Sequence, residues 1–171
     1  MSDSTFSVSI QELFDAAAHY GHKTQKWNPR MRPYLYGDLN GIHLFDLQKT
    51  AKLFENALDF IRKTAKEGKT FLFVGTKPQS LHVVSGQAKR AGMPFVTQKW
   101  IPGLLTNFAT LSRRISYLRD LKTQEERGEL GKYTKKEISV MKKMMTKLEA
   151  ALGGVSDMGR LPDVVIVTDL V

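Results

Sequence analysis

"FLFVGTKPQS", residues 71–80, is the stretch that decides the fold. Phe71–Val74 is an unbroken apolar run of strand length, as expected of a parallel strand covered on both faces. Gly75 interrupts the run, and Thr76 with Pro78 reads as the start of a helix that continues to about Arg90 and closes at Gly92. "PFVTQ", residues 94–98, reads as a further short strand. Upstream, Asn40–Gly41 reads as a turn and Ile42–Phe45 as a short strand. Leu47, Ala51, Phe54, Leu58 and Ile61 then keep helical spacing, with Asp46 as cap and Gly68 as stop. Strand–helix–strand alternation of this kind predicts an α/β domain with a parallel sheet and right-handed crossovers.

Further out, Ser9 and Glu12 form a capping box ahead of an apolar stripe at Ile10, Leu13, Phe14 and Ala17, and Gly21 is expected to end that helix. Pro29 and Pro33 block regular helix and are expected to hold the residue before each in extended backbone. Downstream the character changes. Leu104, Phe108, Leu111, Ile115 and Leu118 fall in steps of four and three, the seam of a coiled coil. After Gly128 and Gly131, Thr134 and Glu137 make a second capping box. Ile138, Met141, Met145, Leu148 and Leu152 repeat the step until Gly153–Gly154. Two such helices on a short link are expected to fold back as an antiparallel hairpin. Val164–Val167 then returns to the sheet. The expected organisation is an α/β domain of residues 1–103 and 154–171 with a helical hairpin inserted at 104–153. The strand at Val164–Val167 needs a covering helix and none follows before Val171. Either the sheet ends there, its C-terminal strand–helix units absent, or the sequence is cut short.

The 171 residues carry 26 Lys and Arg against 17 Asp and Glu, a formal charge of +9. That excess is neutralised by a polyanion, whose phosphates release counterions on contact, or by an anionic membrane surface. There is no cysteine, so disulfides and thiolate metal sites are excluded. No apolar run approaches the roughly 18 residues of a membrane helix. "MSDSTFSVSIQELF" lacks the basic and apolar regions of a signal peptide, and Asp3 and Glu12 argue against a transit peptide.

The chemistry-bearing patterns are few. His19 and His22 stand three apart, but zinc needs a third and usually a fourth ligand and no other residue sits at a recognised spacing. The plainer reading packs His19 under the first helix and turns His22 to solvent or RNA. "VGTKPQS" places Gly, Thr and Lys at a strand-to-helix turn, where anions are attracted, yet it has neither the longer glycine loop of a Walker motif nor three spaced glycines. A nucleotide-binding enzyme of flavodoxin-like fold is the alternative this turn supports. No nucleophile elbow, metalloprotease or cysteine–histidine pattern occurs. The strongest signal is "HYGHKTQKWNPRMRPYLY", residues 19–36. Lys23, Lys26, Arg30 and Arg32 occur with no acid before Asp38, interleaved with Trp27, Tyr34 and Tyr36. Cations among exposed rings suit unpaired bases, and Asn28 can both donate and accept. "TQKWIPGLLTNFATLSRR" adds Lys99, Trp100, Asn107, Arg113 and Arg114, with Trp100 readable equally as core. "DMGRLPD" adds Arg160.

Four of these stretches, "HYGHKTQKWNPRMRPYLYGDLNGIHLFDLQKT", "FLFVGTKPQ", "GMPFVTQKWIPGLLTNFATL" and "GGVSDMGRLPDVVIV", resemble the small-subunit ribosomal protein S-two family in its bacterial or organellar form. The likeness runs from about Ser9 to Thr168. It implies a flavodoxin-like parallel α/β domain with a protruding, coiled-coil helical hairpin. It implies binding to small-subunit ribosomal RNA between head and body, late joining in assembly, and no catalytic activity or cofactor. It also implies neighbouring small-subunit ribosomal proteins as partners, including small-subunit ribosomal protein one in bacteria. By the same likeness, the RNA-facing loop falls on His22 to Arg32, a strand-end contact on Gly75 to Lys77, and the start of the hairpin on Trp100 to Asn107. Two departures stand out. The family continues with further strand–helix units after "VVIVTD", and it more often has a Leu–Gly pair where this chain has Ile101–Pro102.

Overall fold

The computed structural model describes residues 8–169; Asp3 and the terminal Leu170–Val171 lie outside the described residues. The chain divides into two compact units, one up to Gly68 and one from Lys69 on.

The first unit opens with α1 (Ile10–Asp15). The Ser9 hydroxyl accepts from the Glu12 N–H at 3.1 Å and the Glu12 carboxylate accepts from the Ser9 N–H at 2.8 Å, the expected capping box. The helix ends at Asp15, well before Gly21. Ala17 takes a left-handed φ of 56° and the chain turns into β1 (Tyr20–Lys23). Gly21 is a strand residue instead. A Cβ there would stand 3.0 Å from the His43 carbonyl oxygen and 3.2 Å from the Phe45 ring, so the glycine serves close approach between strands. β2 (Leu35–Leu39) and β3 (Ile42–Phe45) form a hairpin whose two turn residues, Asn40 and Gly41, have φ of 51° and 76°. Two successive positive φ values are what a tight hairpin turn of matching twist requires. The three strands make an antiparallel sheet in the order β1-β3-β2. Ile42–Phe45 is therefore the centre of a separate antiparallel sheet, and the parallel alternation expected from it begins only at Phe71.

Two local expectations divide here. Asp46 caps α2 (Leu47–Lys66), its Oδ1 accepting from the N–H groups of Gln48 at 3.1 Å and Lys49 at 3.3 Å, and Gly68 beyond its end has a φ of 70°. Asn28 before Pro29 is extended, but Arg32 before Pro33 is not. It lies inside a 3-10 helix, Pro29–Tyr34. The Leu35 N–H reaches the Arg32 carbonyl across Pro33, so the shorter repeat does without the donor that proline lacks.

In the second unit β4 (Phe71–Val74) is the centre of a three-stranded parallel sheet, with β5 (Phe95–Val96) on one side and β6 (Val164–Val167) on the other. Asp163 fastens β6. Its N–H donates to the Thr70 carbonyl at 2.9 Å and its carboxylate accepts from the Thr70 N–H at 2.8 Å. α3 (Leu81–Arg90) starts at Ser80 rather than Thr76, buries Val84 and Ala88, and ends before Gly92. Between β5 and β6 come α4 (Phe108–Glu126), a 3-10 turn at Glu129–Lys132, and α5 (Lys135–Leu152). α4 begins at Phe108 and not at Leu104, because Pro102 and Gly103, with φ of 85°, form a turn. Leu104 is completely buried all the same. Thr134 and Glu137 form the second capping box. Lys122 pairs with Glu149 at 2.5 Å and Lys142 with Glu125 at 3.2 Å, linking the two helices. The core joins sheet and helices: Leu72, Val74 and Val96 pack with Leu104, Leu111, Ile115, Leu118, Leu152, Val155 and Met158. Gly154 lies against β5, and a Cβ there would come within 2.2 Å of the Phe95 carbonyl oxygen.

Gly154→Ala is accordingly expected to destabilise the protein by about 1–3 kcal/mol, read as a lower urea midpoint. Gly86→Ala is the opposite case. Gly86 sits inside α3 with nothing within 4 Å of the added methyl, so stability is expected to rise by about 0.5–1 kcal/mol.

Four carboxylates lie below their ordinary values because backbone N–H groups donate to the charged form: Glu12 to Ser9, Asp46 to Lys49, Glu137 to Thr134 and Asp163 to Thr70. A depressed carboxylate contributes stability that is fully present above its unfolded value and is lost as pH falls through its folded value. The ordinary values are 4.5 for the two glutamates and 3.8 for the two aspartates. The urea midpoint is therefore expected to hold from about pH 7 to about pH 5 and to fall progressively below that. A midpoint that rises on acidification would contradict these four bonds.

Candidate nucleic-acid interface

The loop at the head of the first unit is held from both ends. The Thr24 N–H donates to the Gly41 carbonyl at 2.9 Å, after which a short 3-10 turn, Thr24–Lys26, leads to Trp27. At the other end the Asp46 N–H donates to the Tyr34 carbonyl at 2.9 Å, and Lys49 Nζ donates to the Pro33 carbonyl at 2.8 Å. Between them Asn28 Oδ1 accepts from the Arg30 N–H at 3.0 Å, and the Met31 N–H reaches the Asn28 carbonyl at 2.9 Å. Asn28 is thus a cap for the Pro29–Tyr34 turn before it is anything else.

With the backbone fixed in this way, His22, Lys23, Lys26, Asn28, Arg30 and Arg32 are all exposed. None of the four cations enters an ion pair among the described residues. Trp27 differs. It is half-buried, and its ring lies 4.8 Å from that of His43 at 53°, so it braces the loop against β3 and offers only part of its surface. Tyr36, which the site set drawn from sequence does not include, is 81% exposed. Its signal was strand alternation after Pro33, which turns Leu35 inward and Tyr36 out. His19 stacks on Phe14 of α1 with ring centroids 4.5 Å apart. Its Nδ1, like Nε2 of His43, is buried without a hydrogen-bond partner. Among the described residues no group of three or more His, Cys, Asp or Glu is placed to hold a metal ion.

In the second unit Lys99 and Trp100 precede the turn into α4, and Trp100 is exposed and outside the core cluster, which decides the reading left open by sequence. Asn107 is the N-cap residue of α4, but its side chain makes no capping bond. Arg113 and Arg114 are exposed on the face of α4 away from Leu111, Ile115 and Leu118. Two further cations are engaged within the fold. Lys77 pairs with the mostly buried Asp169 at 2.8 Å. Arg160 reaches the Thr70 hydroxyl at 3.2 Å and Asp163 at 3.4 Å. Gly75, at the turn that suggested a nucleotide pocket, is filled by protein. A Cβ there would stand 2.6 Å from Val84 and 2.9 Å from the Thr168 hydroxyl. That glycine serves the packing of α3 on the sheet end, and the nucleotide-enzyme reading has no support. No helix among the described residues is long and apolar enough to cross a membrane.

An α/β protein with a braced, unpaired cationic loop is the class these observations define. Residues 13–171 match the family described as Ribosomal protein S2. The chain is 43% identical over 162 residues to small ribosomal subunit protein uS2 of Rippkaea orientalis, covering 95% of this chain and 60% of that protein. It is 48% identical over 163 residues to small ribosomal subunit protein uS2c of Mesostigma viride, covering 95% and 72%. With the uS2c protein of Rhodomonas salina the identity is 45% over 162 residues, covering 95% and 67%. The chain belongs to the ribosomal protein S2 family. It spans about three-fifths of the length of the Rippkaea orientalis relative.

Replacing Asn28 by Ala removes the bond to the Arg30 N–H without changing any charge. The loop is expected to lose about 1 kcal/mol of local stability. Amide exchange at Arg30 and Met31 should speed up while α4 and α5 keep their protection; unchanged exchange at Arg30 would show that the cap does not hold the turn.

Proposed function

We propose that this protein is a structural constituent of the small ribosomal subunit, that it grips small-subunit ribosomal RNA, and that it catalyses no reaction. The observation that carries the reading is the loop. Four exposed cations without internal partners stand beside an exposed tyrosine in a chain of net charge +9, and the chain's relatives are named as small ribosomal subunit proteins. His22, Lys23, Lys26, Arg30 and Arg32 contact phosphates, while Asn28 and the free surface of Trp27 meet ribose or base. Lys99, Trp100, Asn107, Arg113 and Arg114 form a second contact, and Lys77 and Arg160 add to binding only where RNA phosphate displaces Asp169 and Asp163.

The two helices after Trp100 act as an antiparallel coiled-coil hairpin, 104–153, inserted into an α/β domain of flavodoxin-like kind made by 1–103 and 154–171. Their support is the cross-helix pairing Lys122–Glu149 and Glu125–Lys142, in which advance along one helix goes with retreat along the other. At about 1.5 Å per residue each helix is roughly 27 Å long, enough to reach a neighbouring ribosomal protein, small-subunit ribosomal protein one included. The setting is a ribosome in bacterial cytoplasm or in an organelle, since the relatives come from both.

Filter binding of small-subunit RNA across a salt series tests the reading. Each phosphate contact steepens the log–log slope by about 0.7–0.9, so the variant with Lys23, Lys26, Arg30 and Arg32 all changed to Ala should lose roughly 3 from it. An unchanged slope would remove the loop from the interface.

A further inference from the structure

α5 carries two stripes, and the core accounts for only one. Ile138, Met141, Met145, Leu148 and Leu152 form the half-buried to buried seam. On the opposite side Lys136, Val140, Lys143, Met144 and Lys147 follow one another in steps of three and four, so they share a face at 100° per residue. All five are exposed, Val140 at 57% and Met144 at 45%. None of the three lysines is in an ion pair among the described residues. The nearest acid along the helix, Glu137, is held in the capping bonds to Thr134 at 2.9 Å and 2.8 Å. Nothing within the hairpin gives the two apolar side chains a packing role, since both point away from the seam.

We infer that this face of α5 docks an acidic amphipathic helix of a protein partner. The spacing is that of a helix laid along a helix: an aliphatic pair, Val140 and Met144, one turn apart, framed by cations over about 16 Å. Leu or Ile side chains of the partner cover the pair, and Asp or Glu on either side of them meet Lys136, Lys143 and Lys147. Met adapts its shape to an incoming side chain at low cost. RNA fits less well. Phosphates satisfy the lysines, but Val and Met offer no ring for a base and would be left against sugar and phosphate. This docking face does not rest on the ribosomal reading: the loop His22–Arg32 plays no part in it, and either can fail while the other stands.

The purified chain tests it directly. The probe is a fluorescent 21-residue helical peptide with Leu at every a and d position and Glu at the e and g positions. A duplex RNA of about 16 base pairs is titrated in parallel. The peptide should bind saturably, and V140S/M144S should weaken it about tenfold, as should K143E/K147E. Binding of the duplex should be unaffected by V140S/M144S. All four positions are exposed, and circular dichroism confirms that the variants stay folded. No saturable binding of the peptide, or binding that ignores V140S/M144S, overturns the proposal. So does a duplex that binds and displaces the peptide with sensitivity to K143E/K147E, which would make the face an RNA surface.

Discussion

The second unit depends on one continuous apolar contact. Leu72 and Val74 of β4 and Val96 of β5 bury against Leu111, Ile115 and Leu118 of α4, with Leu104, Leu152, Val155 and Met158 closing the ends. Every one of those side chains is in the same cluster, so the sheet and the base of the helix pair are one core and not two. That explains why Leu104 is fully buried although it lies in a turn: the core needs its volume and is indifferent to its backbone. It also explains why Gly154 must be bare, since the chain leaving α5 passes against the Phe95 carbonyl. The first unit is built otherwise. Among the described residues, the buried apolar side chains all lie at Phe71 or beyond. The loop and hairpin up to Gly68 owe their shape to hydrogen bonds, ring contacts and the turn at Asn40–Gly41.

That difference decides how much could be read from sequence. Burial on both faces writes itself as an apolar run, so β4 and β6 and their parallel sense were legible in Phe71–Val74 and Val164–Val167. Caps were legible too, because Ser9, Asp46 and Thr134 act on donors two or three residues away. β1 and β2 were not, since a strand with little burial carries no periodic pattern. Gly21 illustrates the failure. A glycine after an apolar helical stripe reads as a stop, yet the stop is Ala17, and Gly21 is bare because β3 passes close to it. Leu104 and Thr76 misled in a related way: apolar spacing and a proline mark where a helix could start, while Gly103 and the turn before Ser80 decide where it does.

The cationic residues follow the same logic. Charge and exposure of Lys23, Lys26, Arg30 and Arg32 needed no tertiary knowledge, because nothing nearby in the sequence could neutralise them. Lys77 and Arg160 looked equal to them as letters. Asp169 and Thr70 lie about ninety positions away in sequence from those two, respectively, and only the parallel pairing of β4 with β6 brings them together. Trp27 stands between these cases. Its ring was visible as an aromatic among cations, but half of what it does is internal, since His43 sits against it.

Cations alone do not say what a surface is for; their apolar neighbours do. Around Arg30 and Arg32 the neighbours are rings, Trp27, Tyr34 and Tyr36, whose flat faces match bases and sugars and gain little from aliphatic chains. Around Lys143 and Lys147 they are Val140 and Met144, which gain from burial against aliphatic side chains and offer nothing to a base. Both surfaces attract acids at long range, so electrostatics sets how fast a partner arrives at each. Which partner stays is set at contact distance, by whether the groups between the charges are planar or aliphatic.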